Sequence, residues 1–366
     1  MMRSLIFRFI LSTTLIISTF VSAFAEDPHQ HGTDDHAKEF KVGEMIMHHI
    51  KDDHGWELAH GLTIPLPVIL YTGDRGLEVF SSSNFDHDGT HNGYVKEHNH
   101  IYRAGANGEP DKTVKVYDFS ITKNVASLLL SAVLLILIFF SVRNGYEKNR
   151  GKAPKGIQSF LEPIILFVRD EIARPNLGPK YERYLPYLLT LFFFILINNL
   201  LGLLPGGANL TGNIAITGVL ALITALITNL SGNRHYWAHL FKPTGVPVAL
   251  LPIMIPVELV GVIMKPLSLM IRLFANITAG HIIILSLLSL IFIARNLGGA
   301  GTGWGISLIV APFTIFMNCI ELLVAFLQAF IFTLLSSMYI GSAIEDHHEA
   351  DHGIGYEGPE FSKDVH

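Results

Sequence analysis

Two apolar segments, residues 246–294 and 305–344, each run far beyond the ~20 residues that carry a helix upright across a bilayer. Lipid offers the backbone no water to bond, so segments of this kind satisfy their amides internally, as helices. The surplus length must be absorbed by steep tilt, by bends or by breaks. Pro252, Pro256 and Pro266 are the candidate bends in the first segment, and the glycine-rich loop NLGGAGTGWG joins it to the second at the outer face. Composition agrees: the 366 residues are 50% hydrophobic and 16% charged, where a soluble domain carries about 25% charge. The net charge of −5 averages unlike regions, with acid in the two tails and base in the loops. The chain is therefore read as integral to the lipid bilayer, with no nucleic-acid partner.

The other spans are shorter. Residues 124–142 are followed by Arg143, Lys148, Arg150, Lys152 and Lys155, a basic cluster that marks the cytoplasmic side. Residues 184–204 lead to the outer loop LPGGANLTGN, and 214–230 return to GNRHYWAHLFKPTG, where Arg234 and Lys242 again read as cytoplasmic. Between these, residues 156–174 place Ile157, Phe160, Leu161, Ile164, Ile165 and Val168 at helical spacing, which suits a helix lying on the membrane. Pro175, Gly178 and Pro179 then break the chain. The expected fold is an all-α integral membrane protein with about five membrane-embedded helices plus one interfacial amphipathic helix, the last two long and tilted as a hairpin.

Residues 1–25 carry Arg3 and Arg8, an apolar run and a closing Ala23-Phe24-Ala25, the pattern of a secretory signal peptide, with an uncleaved anchor as the alternative. Residues 26–120 read as a polar, His-rich extracytoplasmic extension, small or partly disordered, in which LTIPLPVILY (62–71) is a short strand or an interfacial turn. Residues 121–345 form the membrane domain, and 346–366 a polar tail that is cytoplasmic by counting crossings from an external N-terminus. The one cysteine, Cys319, lies in an apolar segment, so an intramolecular disulfide is excluded.

Inside the apolar segments the polar residues are few and ordered. Arg272 is the only formal charge between Pro266 and Ala294. A guanidinium at mid-membrane costs at least ~2.5–3.5 kcal/mol and does not escape by losing its proton. At 100° per residue, Glu258, Lys265, Ser268 and Asn276 fall within about 40° of Arg272, while His281 is turned away by about half a turn. On the last helix Glu321 and Gln328 share a face. An ion pair between Arg272 and Glu321 is the simplest reading. The surplus of protonatable and amide groups around it points instead to a proton path, which needs a succession of groups that exchange protons or hold water.

The run KPLSLMIRLFANITAGHIII, with INNLLGLLP at 197–205 and ELLVAFLQAFIFTLLSSMYIGSAI at 321–344, resembles subunit a of the F-type rotary ATP synthase, over residues 124–344. The resemblance implies that Arg272 is the arginine facing the ring of c subunits, and that Asn276, Gln328, Glu258, Lys265 and Ser268 are the family's polar positions. His281 and Glu321 fill two sites where family members carry a His and a Glu in either order. Gly202 stands where some bacterial members have an aspartate. The implied function is a non-catalytic stator subunit of the bacterial inner membrane, without cofactor, working only within the complex beside the c-subunit ring and peripheral stalk b subunits. Protons would load through one half-channel near His281 and Glu321 and leave by another near Glu258 and Ser268, with Arg272 separating the two.

The histidine runs DPHQHGTDDHAKE, MHHIKDDHGWELAH and HDGTHNGYVKEHNH have the residue types for zinc or copper but no strict ligand spacing, and are read as a solvated extension. They and the intramembrane charges also suggest the alternative, a stand-alone secondary transporter or metal exporter. That class needs internal repeats around a substrate site, and no convincing repeat is present.

Overall fold

The computed structural model describes residues 52–59, 62–85, 89–97, 100–105, 109–204, 206–241 and 250–345. The signal peptide, the C-terminal tail and the first histidine run lie outside the described residues. The chain divides into two compact units. One gathers the described residues within Met1–Gln158, Phe193–Thr217 and Arg272–Ala329, the other those within Ser159–Phe192, Gly218–Ile271 and Phe330–His366.

The first unit begins with a small β-domain. Its strands are β1 (Gly55–Ala59), β2 (Leu62–Pro65), β3 (Pro67–Thr72), β4 (Gly76–Ser81), β5 (Thr90–His91), β6 (Tyr94–Glu97), β7 (His100–Ala104), β8 (Pro110–Asp111) and β9 (Tyr117–Asp118). They pair antiparallel in three small sheets, β1-β2, β4-β3-β9 and β5-β6-β7-β8. Strand alternation sends Val68 and Leu70 inward to a core shared with Tyr94 and Ile101. Asn92 and Gly93, both at positive φ, form the two-residue turn between β5 and β6, as an Asn-Gly pair favours. The extension is thus β-structured from Gly55 to Asp118, where a polar extension with at most one short strand was expected. These strands are an addition to a membrane part that is helical, as expected.

The helices are α1 (Lys123–Lys148), α2 (Ile157–Phe167), the one-turn α3 (Arg174–Leu177), α4 (Tyr181–Gly202), α5 (Ile214–Leu230), α6 (Arg234–Phe241) and α7 (Leu251–Ile344). A π-helical stretch, Val168–Ala173, joins α2 to α3, and Gly178, at φ 53°, breaks the run before α4. The start of α1 lacks a local side-chain cap; Asp52 Oδ1 accepts from the Asn124 amide at 3.0 Å instead, a carboxylate suited to a helix N-terminus.

Helix α7 leaves helical geometry at one residue, Gly299 (φ 77°, ψ −173°), and so consists of two arms, 251–298 and 300–344. Within the first unit the arms fold back on each other: the Thr302 hydroxyl reaches Ala294 O at 2.8 Å, and Gly280 lies against Glu321. The hairpin expectation holds, but the long glycine-rich loop does not. Helix continues through NLGGAGTGWG on both sides of Gly299, and none of Pro252, Pro256 and Pro266 interrupts the first arm. Pro252 sits in the first turn, where no amide partner is lost. Buried Ala325 and Ala329 let the backbones of the first unit pack closely.

Candidate functional site

In the first unit the hairpin brings His281, on the first arm, against Glu321, on the second. His281 Nε2 lies 3.9 Å from Glu321 Oε1. Glu321 is 4% exposed, and neither of its carboxylate oxygens has a hydrogen-bond partner. A hydrogen-bonded Arg272–Glu321 pair, the simplest sequence reading, is therefore not formed. An isolated anion at such a position is costly, and His281 is the adjacent group able to exchange a proton with it. Its azimuth toward the second arm agrees with the expected turn away from Asn276, which is exposed.

Two glycines set this geometry. A Cβ on Gly280 would stand 2.7 Å from Glu321 Oε1, nearer than side-chain atoms approach. A Cβ on Gly202, the last residue of α4, would stand 3.7 Å from His281 Nε2. Gly202 thus adjoins the His–Glu pair. Asn199 fastens α4 to the second arm, its Nδ2 donating to Ala325 O at 3.0 Å while its Oδ1 accepts from the Thr211 hydroxyl at 2.8 Å. Sequence reasoning missed Gly280 and Asn199. The signals were a glycine next to His281 and the polar pair Asn198-Asn199 inside an apolar run. Gln328 is buried in the same unit, and Arg272 is half-buried.

The second unit holds Glu258, Lys265 and Ser268. Glu258 and Lys265, two turns apart on the first arm, line one cavity of about 280 Å³ with His235, Tyr236, His239 and Glu345. The Lys265 ammonium lies 5.5 Å from the Tyr339 ring centre, within cation–π reach. Ser268, two turns short of Asn276 on the same arm, is half-buried. His235 and His239, placed by α6, are cavity residues that the sequence reading left in a loop. Among the described residues no three His, Cys, Asp or Glu side chains gather as a metal site.

Comparison with known proteins bears on these clusters. The family model described as ATP synthase A chain matches residues 125–341, and one described as Domain of unknown function (DUF8433) matches residues 45–119. ATP synthase subunit a of Chloroherpeton thalassium is 44% identical over 252 residues, covering 67% of this chain and 73% of the relative. Those of Chlorobium phaeobacteroides (strain BS1) and Anaeromyxobacter sp. are each 38% identical, over 318 and 340 residues, covering 85% and 89% of this chain and 79% and 77% of the relatives. Alignments of that length exceed the membrane domain, so these relatives share part of the extension.

Proposed function

The chain belongs to the ATP synthase A chain family, and on that premise we propose how its two polar clusters divide the work of moving protons. It is the proton-translocating, non-catalytic subunit of the ATP synthase membrane sector, a multi-pass protein of the bacterial inner membrane. In the proposed route the first unit is the inlet. A proton arriving from the outer side passes to His281, then to Glu321, and onward to a carboxylate on the ring of c subunits. The second unit is the outlet, where the proton leaves the ring near Glu258 and Ser268 and is released through the cavity that Glu258 and Lys265 border. Arg272 is the barrier that keeps the two routes separate. It attracts each ionised ring carboxylate and, being permanently charged, relays no proton itself. Asn276 and Gln328 are the polar positions that accompany the inlet. The N-terminus is extracytoplasmic and the tail cytoplasmic, with peripheral stalk b subunits holding the chain against rotation.

The observation that carries this reading is the His281–Glu321 approach of 3.9 Å around a buried carboxylate without a hydrogen bond. A purely structural carboxylate would be bonded. Nothing favours the stand-alone transporter. The decisive experiment is Arg272→Ala in the assembled complex, with ATP-driven proton pumping measured in inverted vesicles. Pumping is expected to vanish; near wild-type pumping would falsify the barrier role.

A further inference from the structure

The β-domain is tied to the helices of its own unit by a short strap, residues 52–56. Asp52 caps α1, Asp53 O accepts from the Lys123 amide at 2.8 Å, and His54 Nε2 meets Asp118 Oδ2 at 2.9 Å. Trp56 Nε1 then donates to Gly206 O at 2.7 Å, reaching the loop between α4 and α5. Strap, strands and loop border an open cavity of about 440 Å³ lined by Asp53, Thr63, Ser83, Lys96, Lys123 and Gly206. Its walls combine charged and hydroxylic side chains with glycines and Pro65, and Lys96 Nζ pairs with Asp53 Oδ1 at 2.6 Å. At ~30 Å³ per molecule the space is large enough for on the order of ten waters, with the Asp53, Lys96 and Lys123 charges as polar partners. The loop that borders it starts directly after Gly202, the residue adjoining His281 Nε2.

We propose that this cavity is the antechamber of the inlet: a hydrated pocket that the β-domain builds over the α4–α5 loop, through which protons reach His281. The residues matching a domain of unknown function thereby acquire a task, delivering protons to the membrane path. Water chains polarise and pass protons without displacing heavy atoms, and the Asp53–Lys96 pair fixes the field they cross. The inference rests on the proposed role of His281 and Glu321 as the inlet pair.

The test uses the assembled complex with Cys319→Ser, carrying either Ser83→Cys inside the cavity or Lys112→Cys, 67% exposed and outside it. Spheroplasts are treated from outside with sulfonatoethyl methanethiosulfonate, and ATP-driven pumping is then measured in inverted vesicles. Modification at 83 is expected to lower pumping at least about threefold, as bulk in a pore does, with recovery in dithiothreitol, whereas modification at 112 leaves it unchanged. Stoichiometric modification at 83 without effect overturns the antechamber, and so does failure of 83 to react while 112 reacts. Failure of both to react from outside overturns it as well, by placing the β-domain on the wrong side. Thr63→Cys gives the same readout if Ser83→Cys fails to assemble. Glu321→Gln in the same vesicles separates the two readings: if it pumps at the wild-type rate, the inlet reading itself falls, and if it does not while bulk at 83 is harmless, only the antechamber falls.

Discussion

Glu321 and Glu258 are the same residue put in opposite settings. Glu321 is buried, bonded to nothing through its oxygens, and pressed against the bare backbone of Gly280. Glu258 is half-buried and opens on a cavity shared with Lys265, His235 and His239. A dry carboxylate exchanges protons only with the group beside it, whereas one on a wet cavity exchanges with any water. On the proposed route the inlet would therefore work by close neighbours and the outlet by access, a difference made by small residues rather than by charge.

That contrast can be broken by substitution. The largest effect is expected at Glu321→Gln, which removes the carboxylate beside His281 and should cut ATP-driven pumping on the order of 100-fold. Glu258→Gln should cost only roughly two- to fivefold, because water bridges the gap; equal losses at the two positions would end the comparison. Next comes Gly280→Ala, whose methyl would lie 2.7 Å from Glu321 Oε1. Pumping should fall by about tenfold, on the scale of a reacting group misplaced by an ångström, and adding Glu321→Asp, which withdraws the carboxylate, should recover part of it. Asn199→Ala, which loses bonds to Ala325 and Thr211, should lower the stability of the solubilised complex by about 1–2 kcal/mol with a smaller effect on pumping. A thermal melt unchanged from wild type would show that Asn199 does not hold α4 in place.

The smallest effect concerns the β-domain. Burial pushes the Asp118 carboxyl up, but bonds from the His54 ring and from the Ser120 hydroxyl and amide, with the His54 charge, together hold it below the ordinary 3.8. Its folded value being the lower one, its stabilising contribution is present above pH 3.8 and is lost as pH falls through the folded value. Asp118→Asn should therefore hasten proteolysis of the β-domain at neutral pH, by under ~1 kcal/mol after screening, and the difference from wild type should shrink below pH 3.8.

The helices were legible where lipid dictates them. Residues 214–230 were read as a span, and α5 is Ile214–Leu230, because apolar length and flanking polar residues act locally. NLGGAGTGWG was misread as a loop because glycine marks a turn only where φ must be positive, and Gly299 alone needs that. The Thr302 hydroxyl, bonding Ala294 O and Gly299 O, closes the turn at once. The β-domain was missed because its strands are two to six residues long and interrupted by Asp, His and Gly, too short for a period to show. At the site, residue types were visible, and the helical stripe placed Glu258 with Lys265 correctly. The meeting of His281 with Glu321 was implied only by resemblance, since it joins residues on opposite sides of a turn and depends on Gly280 having no side chain.

A turn of a single non-helical residue also makes the hairpin a ruler. With no slack at Gly299, the stretch from His281 to Glu321 has a fixed length, and each added or deleted residue would rotate one arm by about 100° relative to the other. The partners would then look past each other although every side chain in them was intact. Tolerance to insertion should accordingly be lost between these two positions, so that the spacing of the pair is as much a functional property as its chemistry.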